Sequence, residues 1–293
     1  MKLTIFKSIA DVKEYITVDI SSDYSVIAPY INQAEKYVRD ITGDALFDLL
    51  ITYVQSSGTE PELEALLPYC QLPLANFGYL LGVAKLNVNV GNTGITVTST
   101  QNLTPANEWR IKDLKESLEL SGNDALEQLI KFLENNKADY PTWESSDAYS
   151  FQRNFFVDNA TDFFETIYKK ITRMEYLIIR EYLVLAEVDV KEAVCKELFD
   201  ELKTQVLADT VTADNEILLT YIKPAVCYFS LGKLHKQEGY SIENKKLIKQ
   251  LRDFLGANAS ATKYPLYFNS DCYEEIISSE FNDEESGIYC FGL

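Results

Sequence analysis

The sequence predicts a mainly α-helical chain. It reads as two tandem copies of a helical bundle, an internal duplication, with a small β-hairpin and an extended C-terminal tail. Three observations lead there. First, at an offset of 152 residues, positions 24–69 align with positions 176–221 without a gap, and 16 of the 46 positions are identical. Repeats of this kind decide the architecture before any local reading does. Second, apolar residues recur at spacings of three and four through both copies, which places them on one helix face. Third, the composition is that of a globular protein: 46% hydrophobic, 25% charged, with 12 Gly and 8 Pro among 293 residues. There is enough apolar side chain to offset the entropy of ordering.

In chain order, Ser8 and Asp11 have the spacing of a capping box for a short helix through Ile16. Val26, Ile27, Tyr30, Ile31, Ala34, Val38 and Ile41 form one stripe of a helix that Gly43 stops. Pro29 is expected to kink that helix or mark its true start. Asp44 is placed to cap the next helix, which carries Leu46, Phe47, Leu50, Ile51 and Val54. Pro61 suits a first helical turn. Pro68 and Pro73 are expected to break that helix ahead of a more apolar segment, Leu74–Leu86. Two alternating runs around Gly91-Asn92-Thr93-Gly94 give a hairpin signal. Helices over about 106–120 and 124–137 follow. The second copy repeats the plan, with a short helix at 160–168, a long one capped by Thr172, and further helices near 198–207, 216–235 and 241–255. Residues 1–145 are thus the first repeat, carrying the hairpin near 88–98. Residues 146–262 are the second, and 263–293 an extended docking tail.

The chemistry-bearing residues exclude more than they suggest. His235 is the single histidine, so paired-histidine metal motifs are impossible. There is no G-x-S-x-G elbow, Walker motif or G-x-G-x-x-G. No catalytic, cofactor or metal residue is assigned. The five cysteines show no C-x-x-C spacing and read as small buried hydrophobes in a reducing cytosol. A net charge of −18 disfavours nucleic-acid binding through a general basic surface. No signal peptide is legible. The apolar stretch Leu72–Leu86 falls short of a membrane span, so no membrane partner is expected.

Three groups are candidates for partner contact. Val88, Val90, Ile95 and Val97 lie in a stretch without charges to protect a strand edge, and read as a subunit interface. Tyr264, Tyr267, Phe268, Tyr289 and Phe291 belong to the stretch Tyr264–Leu293, which has seven acidic residues and no Lys or Arg, and read as docking anchors. Lys233, Lys236, Lys245, Lys246, Lys249 and Arg252 form a local basic cluster, either a solvated helix face or a site for an acidic partner.

The stretch Ser8–Asp19, continuing from Tyr30 to Gly43, resembles the head–tail connector (adaptor) proteins of tailed phages. The likeness lies in a short helix, an acidic turn, and a helix ending Ala34-x-x-Tyr37-Val38-x-x-x-Thr42-Gly43. The duplicated layout, with Asn123–Asn136 followed by Tyr140-Pro141-x-Trp143, is similar to proteins from phages and prophages of gut anaerobes. The resemblance implies a structural virion protein, made in the host cytoplasm and sited in the neck below the portal vertex. It implies a ring homo-oligomer, commonly of twelve subunits, that contacts the portal and other neck or tail proteins while DNA passes through its channel. The duplication departs from simple adaptors, which carry one helical unit. Two other classes stay open: a soluble helical protein-binding module of phage origin, and an enzyme of unfamiliar type.

Overall fold

The computed structural model describes residues 4–16, 24–56, 59–86, 89–91, 94–96 and 107–274. It is mainly α-helical. Two compact units are distinct: Met1–Asn154 with Asp158–Ile178, and Phe155–Val157 with Ile179–Leu293. The division falls later than the residue 145 boundary read from the repeat.

In the first unit, α1 (Ile9–Lys13) opens with the expected capping box. Asp11 N–H donates to Ser8 Oγ at 3.4 Å, and Ser8 N–H donates to Asp11 Oδ2 at 2.9 Å. The helix ends before Ile16. α2 (Tyr24–Ser56) runs through Pro29, and its non-helical residue is Gly43, at φ 74° and ψ 158°. Only glycine adopts that region without strain, because a Cβ meets the backbone there. Asp44 does not act as the expected cap; its Oδ1 accepts from Arg39 Nη1 at 2.9 Å. The turn at Gly43 frees backbone carbonyls. One of them, that of Ile41, accepts from the indole Nε1–H of fully buried Trp143 at 2.8 Å.

α3 (Pro61–Leu86) is continuous, which corrects the break expected at Pro68 and Pro73. The two prolines forgo bonds to the carbonyls of Glu64 and Tyr69. Leu66, Cys70, Leu74 and Ala75 are fully buried against α2 and α4 (Glu108–Asn135), and this burial outweighs the loss. α4 is likewise one helix where two were expected. Its anticipated break, Ser121-Gly122-Asn123, is a packing point. A Cβ on Gly122 would sit 2.8 Å from the Phe77 ring, and Asn123 Oδ1 accepts from Met174 N–H at 3.0 Å. β1 (Asn89–Gly91) and β2 (Gly94–Thr96) pair antiparallel, with Val90 opposite Ile95. A 3₁₀ turn at Lys137–Asp139, α5 (Pro141–Glu144) and α6 (Asp147–Gln152) then pack beneath α2.

α7 (Ala160–Ile167) is capped by Asn159, whose Oδ1 accepts from Asp162 N–H at 2.7 Å. α8 (Arg173–Val194) starts at a second reciprocal cap. Thr172 Oγ1 accepts from Glu175 N–H at 3.2 Å, and Glu175 Oε2 accepts from Thr172 N–H at 2.7 Å. The second unit continues with Cys195 at φ 67° and ψ 162°, then α9 (Lys196–Leu207), α10 (Ala213–His235), α11 (Glu238–Asn258) and α12 (Pro265–Phe268). Among the described residues, α10 is the one helix long and apolar enough to cross a membrane by length and composition. It packs along α11 and buries Leu218, Ile222, Val226 and Leu231.

Gly43→Ala is expected to cost about 1–3 kcal/mol, since alanine must enter a region that strains any residue with a Cβ. Urea unfolding followed by circular dichroism measures it, and an unchanged midpoint would refute the assignment.

Candidate interaction surfaces

Among the described residues, no group of three or more His, Cys, Asp or Glu side chains could hold a metal ion. His235 is exposed at the end of α10, with its ring centroid 6.3 Å from that of Tyr240. Cys70, Cys195 and Cys227 are free and buried, and burial raises the Cys70 thiol far above its usual range. These thiols serve packing.

Two buried glutamates organise the charges instead. Glu35 on α2 is 1% exposed and faces Arg39 Nε at 3.7 Å. Arg39 also pairs with Asp44 and Asp48 and lies 4.4 Å over the Phe47 ring. In the second unit, Glu187 on α8 accepts from Phe156 N–H and from Lys203 Nζ, each at 2.8 Å. Lys203 in turn sits over the Phe155 and Phe156 rings at 5.6 and 4.5 Å. Burial raises the Glu187 carboxyl above its usual range, while Lys203 and the Phe156 amide pull it back down. This contact ties the Phe155–Val157 segment to the second unit.

A groove of about 740 Å³ opens beside Gly43 in the first unit. Ile41, Leu126 and Met174 give it an apolar wall, and Arg39, Asp44 and Asp147 a charged rim. Its size suits a small ligand. No nucleophile, base or metal-ligand set converges there among the described residues.

The predicted contact residues are dispersed. Val88 and Val97 lie outside the described residues, and Val90 and Ile95 are partners in the β1–β2 ladder. Tyr289 and Phe291 also lie outside. Tyr264 and Tyr267 correct the docking assignment: they are 5% and 2% exposed, within the second unit. Tyr264 Oη donates to the Asp214 carbonyl at 2.7 Å, and burial pushes its hydroxyl up to about 12. Cys195 Sγ lies 3.7 Å from the Leu266 carbonyl, so α12 backs the turn between α8 and α9. Phe268 is half-buried against Tyr273, at 4.9 Å between centroids. Sequence reasoning missed this because an aromatic-rich, acidic segment without periodicity reads equally as partner anchor or as cover for its own core.

The basic cluster is exposed. Ile242, Lys245, Lys249 and Arg252 fall on one face of α11, spaced by three and four. Lys245, Lys249 and Arg252 form one wall of a groove of about 440 Å³ whose other wall carries Asp189 and Glu192 of α8, with Glu274 beside them. Lys246 pairs with Glu243 at 3.4 Å, Lys233 lies 5.1 Å over the Phe229 ring, and Lys236 ends α10 in the left-handed conformation.

The family model for a family of unknown function, DUF6712, matches residues 31–153, 190–246 and 244–277, most of the chain. The chain belongs to the DUF6712 family. The matched segments of this DUF6712 protein take in α2 from Ile31 onward, every element from α3 to α6, and α9, α10, α11 and α12. Comparison with curated proteins and with solved structures gave no match.

Two outcomes follow from these contacts. Lys203→Met leaves Glu187 buried without its cation and is expected to cost about 3 kcal/mol at neutral pH. The folded-state carboxyl then titrates higher still. Stability from a raised carboxyl is present below the unfolded value and lost as pH rises through the folded one. The deficit should therefore shrink as pH falls toward the ordinary carboxylate range, measured by urea unfolding at the two pH values; a pH-independent deficit would count against it. Ending the chain at Lys263 removes the buried Tyr264 and Tyr267 and should lower stability by about 3 kcal/mol or more. Ending it at Glu274 should not, and thermal scans of the two truncated chains tell them apart.

Proposed function

We propose that this DUF6712 protein is a structural virion protein, a head–tail connector of the neck, and not an enzyme. The observation that carries the reading is the stretch Ala34-x-x-Tyr37-Val38-x-x-x-Thr42-Gly43, whose Ala34, Val38 and Thr42 are fully buried and whose glycine turns the helix at positive φ. In the connector proteins it resembles, such a helix belongs to a ring subunit beneath the portal.

The duplication is part of this proposal. It draws support from the two turns: Gly43 and Cys195 lie 152 residues apart and share nearly the same dihedrals. Pro61 and Ala213, which begin α3 and α10, stand in the same register. So do the buried pairs Ala34 and Ala186, Glu35 and Glu187, and Leu50 and Leu202. Arg39 over Phe47 has its counterpart in Lys191 over Phe199, at 5.7 Å.

Assembly is assigned to the hairpin. A two-stranded sheet leaves both edges with unpaired backbone groups and is marginal alone, so a neighbouring subunit that covers Val88, Val90, Ile95 and Val97 would complete it. Such head-to-tail contacts close into a ring. The acidic chain, at −18, would let DNA pass through the channel without adhering. Tyr289 and Phe291 remain as anchors for the portal.

Light scattering coupled to size exclusion is expected to give a ring, and microscopy of virions to place it in the neck. A monomer at all concentrations that is absent from particles would favour the soluble binding module instead. Val90→Lys with Ile95→Lys should weaken assembly and leave helicity unchanged. Unaltered light scattering of that variant would remove the hairpin from the interface.

A further inference from the structure

We propose that the outward face of α8 in the second unit, Val184, Leu185 and Val188, is a docking site for a basic amphipathic helix of a partner protein. α8 already buries its other face, where Leu183, Ala186 and Val190 are at most 1% exposed. Val184, Leu185 and Val188 stand on the opposite side, at 53%, 50% and 49% exposed. A helix that is apolar on both sides belongs in an interior, so half of this one lacks its cover.

The fold itself does not require these side chains. In the 152-residue register the same positions of α2 hold Asn32, Gln33 and Lys36, of which Gln33 and Lys36 are exposed. That helix still buries Ile31, Ala34 and Val38 completely on its inner face. The aliphatic residues on the outer face of α8 therefore serve a contact beyond the core of their own unit.

Charge selects the occupant. Glu181 lies one turn before Leu185 and Glu192 one turn after Val188, and both are exposed. Neither has a cation within ion-pair distance among the described residues. Lys191 of the same helix lies 5.7 Å over the Phe199 ring. In the adjoining groove of about 440 Å³, Asp189, Glu192, Asp253 and Glu274 outnumber Lys245, Lys249 and Arg252. An aliphatic patch bracketed by carboxylates, on a chain of net charge −18, fits aliphatic residues bracketed by Lys or Arg. The patch runs along a helix face, with Ile248 of α11 in the lining of the groove beside it. Such a surface receives a helix laid alongside, whereas an extended strand needs a sheet edge.

A second copy of this face is a poor occupant. In parallel pairing Glu181 and Glu192 would each meet their own counterpart, and in antiparallel pairing each other, carboxylate against carboxylate. An anionic lipid surface is repelled by the same charge. The site is independent of the neck-ring reading, and its failure leaves that reading untouched.

The probe is a synthetic helix of about 15 residues, with Leu at spacings of three and four and Lys on both flanks. Fluorescence anisotropy with the full-length protein is expected to show saturable binding that weakens several-fold from low to high salt. The triple variant Val184→Asn, Leu185→Gln and Val188→Lys takes the residues of α2, and should keep its helical spectrum while binding roughly tenfold more weakly. Glu181→Gln with Glu192→Gln should weaken binding several-fold and flatten its salt dependence. Unchanged affinity in either variant overturns the assignment, as does equal binding of the same helix with Glu in place of Lys. A benzophenone-bearing form of the helix should cross-link to residues 181–192 of the unaltered protein, a readout that holds even where a variant fails to fold. Links confined to other segments overturn it as well. A smaller assembly of the triple variant by light scattering would assign the face to a second copy. Flotation of the unaltered protein, but not the variant, with phosphatidylcholine–phosphatidylserine vesicles would assign it to a membrane. Either result refutes the basic helix.

Discussion

The turn at Gly43 constrains the first unit more than any other single contact. A helix that changes direction there must give up backbone hydrogen bonds, and buried carbonyls without partners are costly. The Ile41 carbonyl finds its donor in Trp143, 102 residues away in sequence. Thr42 Oγ1 donates to the Val38 and Gly43 carbonyls at 3.1 and 3.2 Å. The position of α5 thus follows from the geometry of α2, and α6 follows from α5. Ser146 completes the enclosure, since a side chain on Gly43 would press within 3.3 Å of its Cβ.

The second unit meets the same demand with different residues. Cys195 holds dihedrals that glycine tolerates best, and α12 supports it from a segment remote in sequence. The buried glutamates diverge in a similar way. Glu35 faces a cation four residues along its own helix, whereas Glu187 reaches across to α9 for Lys203. A lysine from another element is a tertiary contact, so Glu187 closes its unit where Glu35 stiffens its helix. Burial without a cation would be unfavourable at either place.

What could be read from the sequence was whatever local chemistry decides. The Ser8–Asp11 box, the Thr172 cap, Pro61 at a first turn and the apolar stripe of α2 follow from spacing and side-chain type. What could not be read depended on distant partners. Pro68 and Pro73 read as breaks because the apolar contacts that hold α3 straight lie on α2 and α4. Ser121-Gly122-Asn123 read as a break because Phe77 and Met174, which need a small residue and an acceptor there, are far off in sequence. Tyr264 and Tyr267 read as anchors for a partner because nothing local reveals that Asp214 and Cys195 wait for that segment. The basic row of α11 was legible as a cluster, while the facing Asp189 and Glu192 were not, since they belong to another helix.

The prolines of α3 bear on the order of events during synthesis. A helix that lacks two of its internal hydrogen bonds has little stability by itself. Its apolar side chains are sheltered on one side by α2 and fully only once α4 has been made, so the ribosome must add residues 108–135 before α3 can settle. Until then the nascent chain presents Leu63, Leu66, Leu74 and Phe77 to water, and that interval is when a chaperone has most to protect.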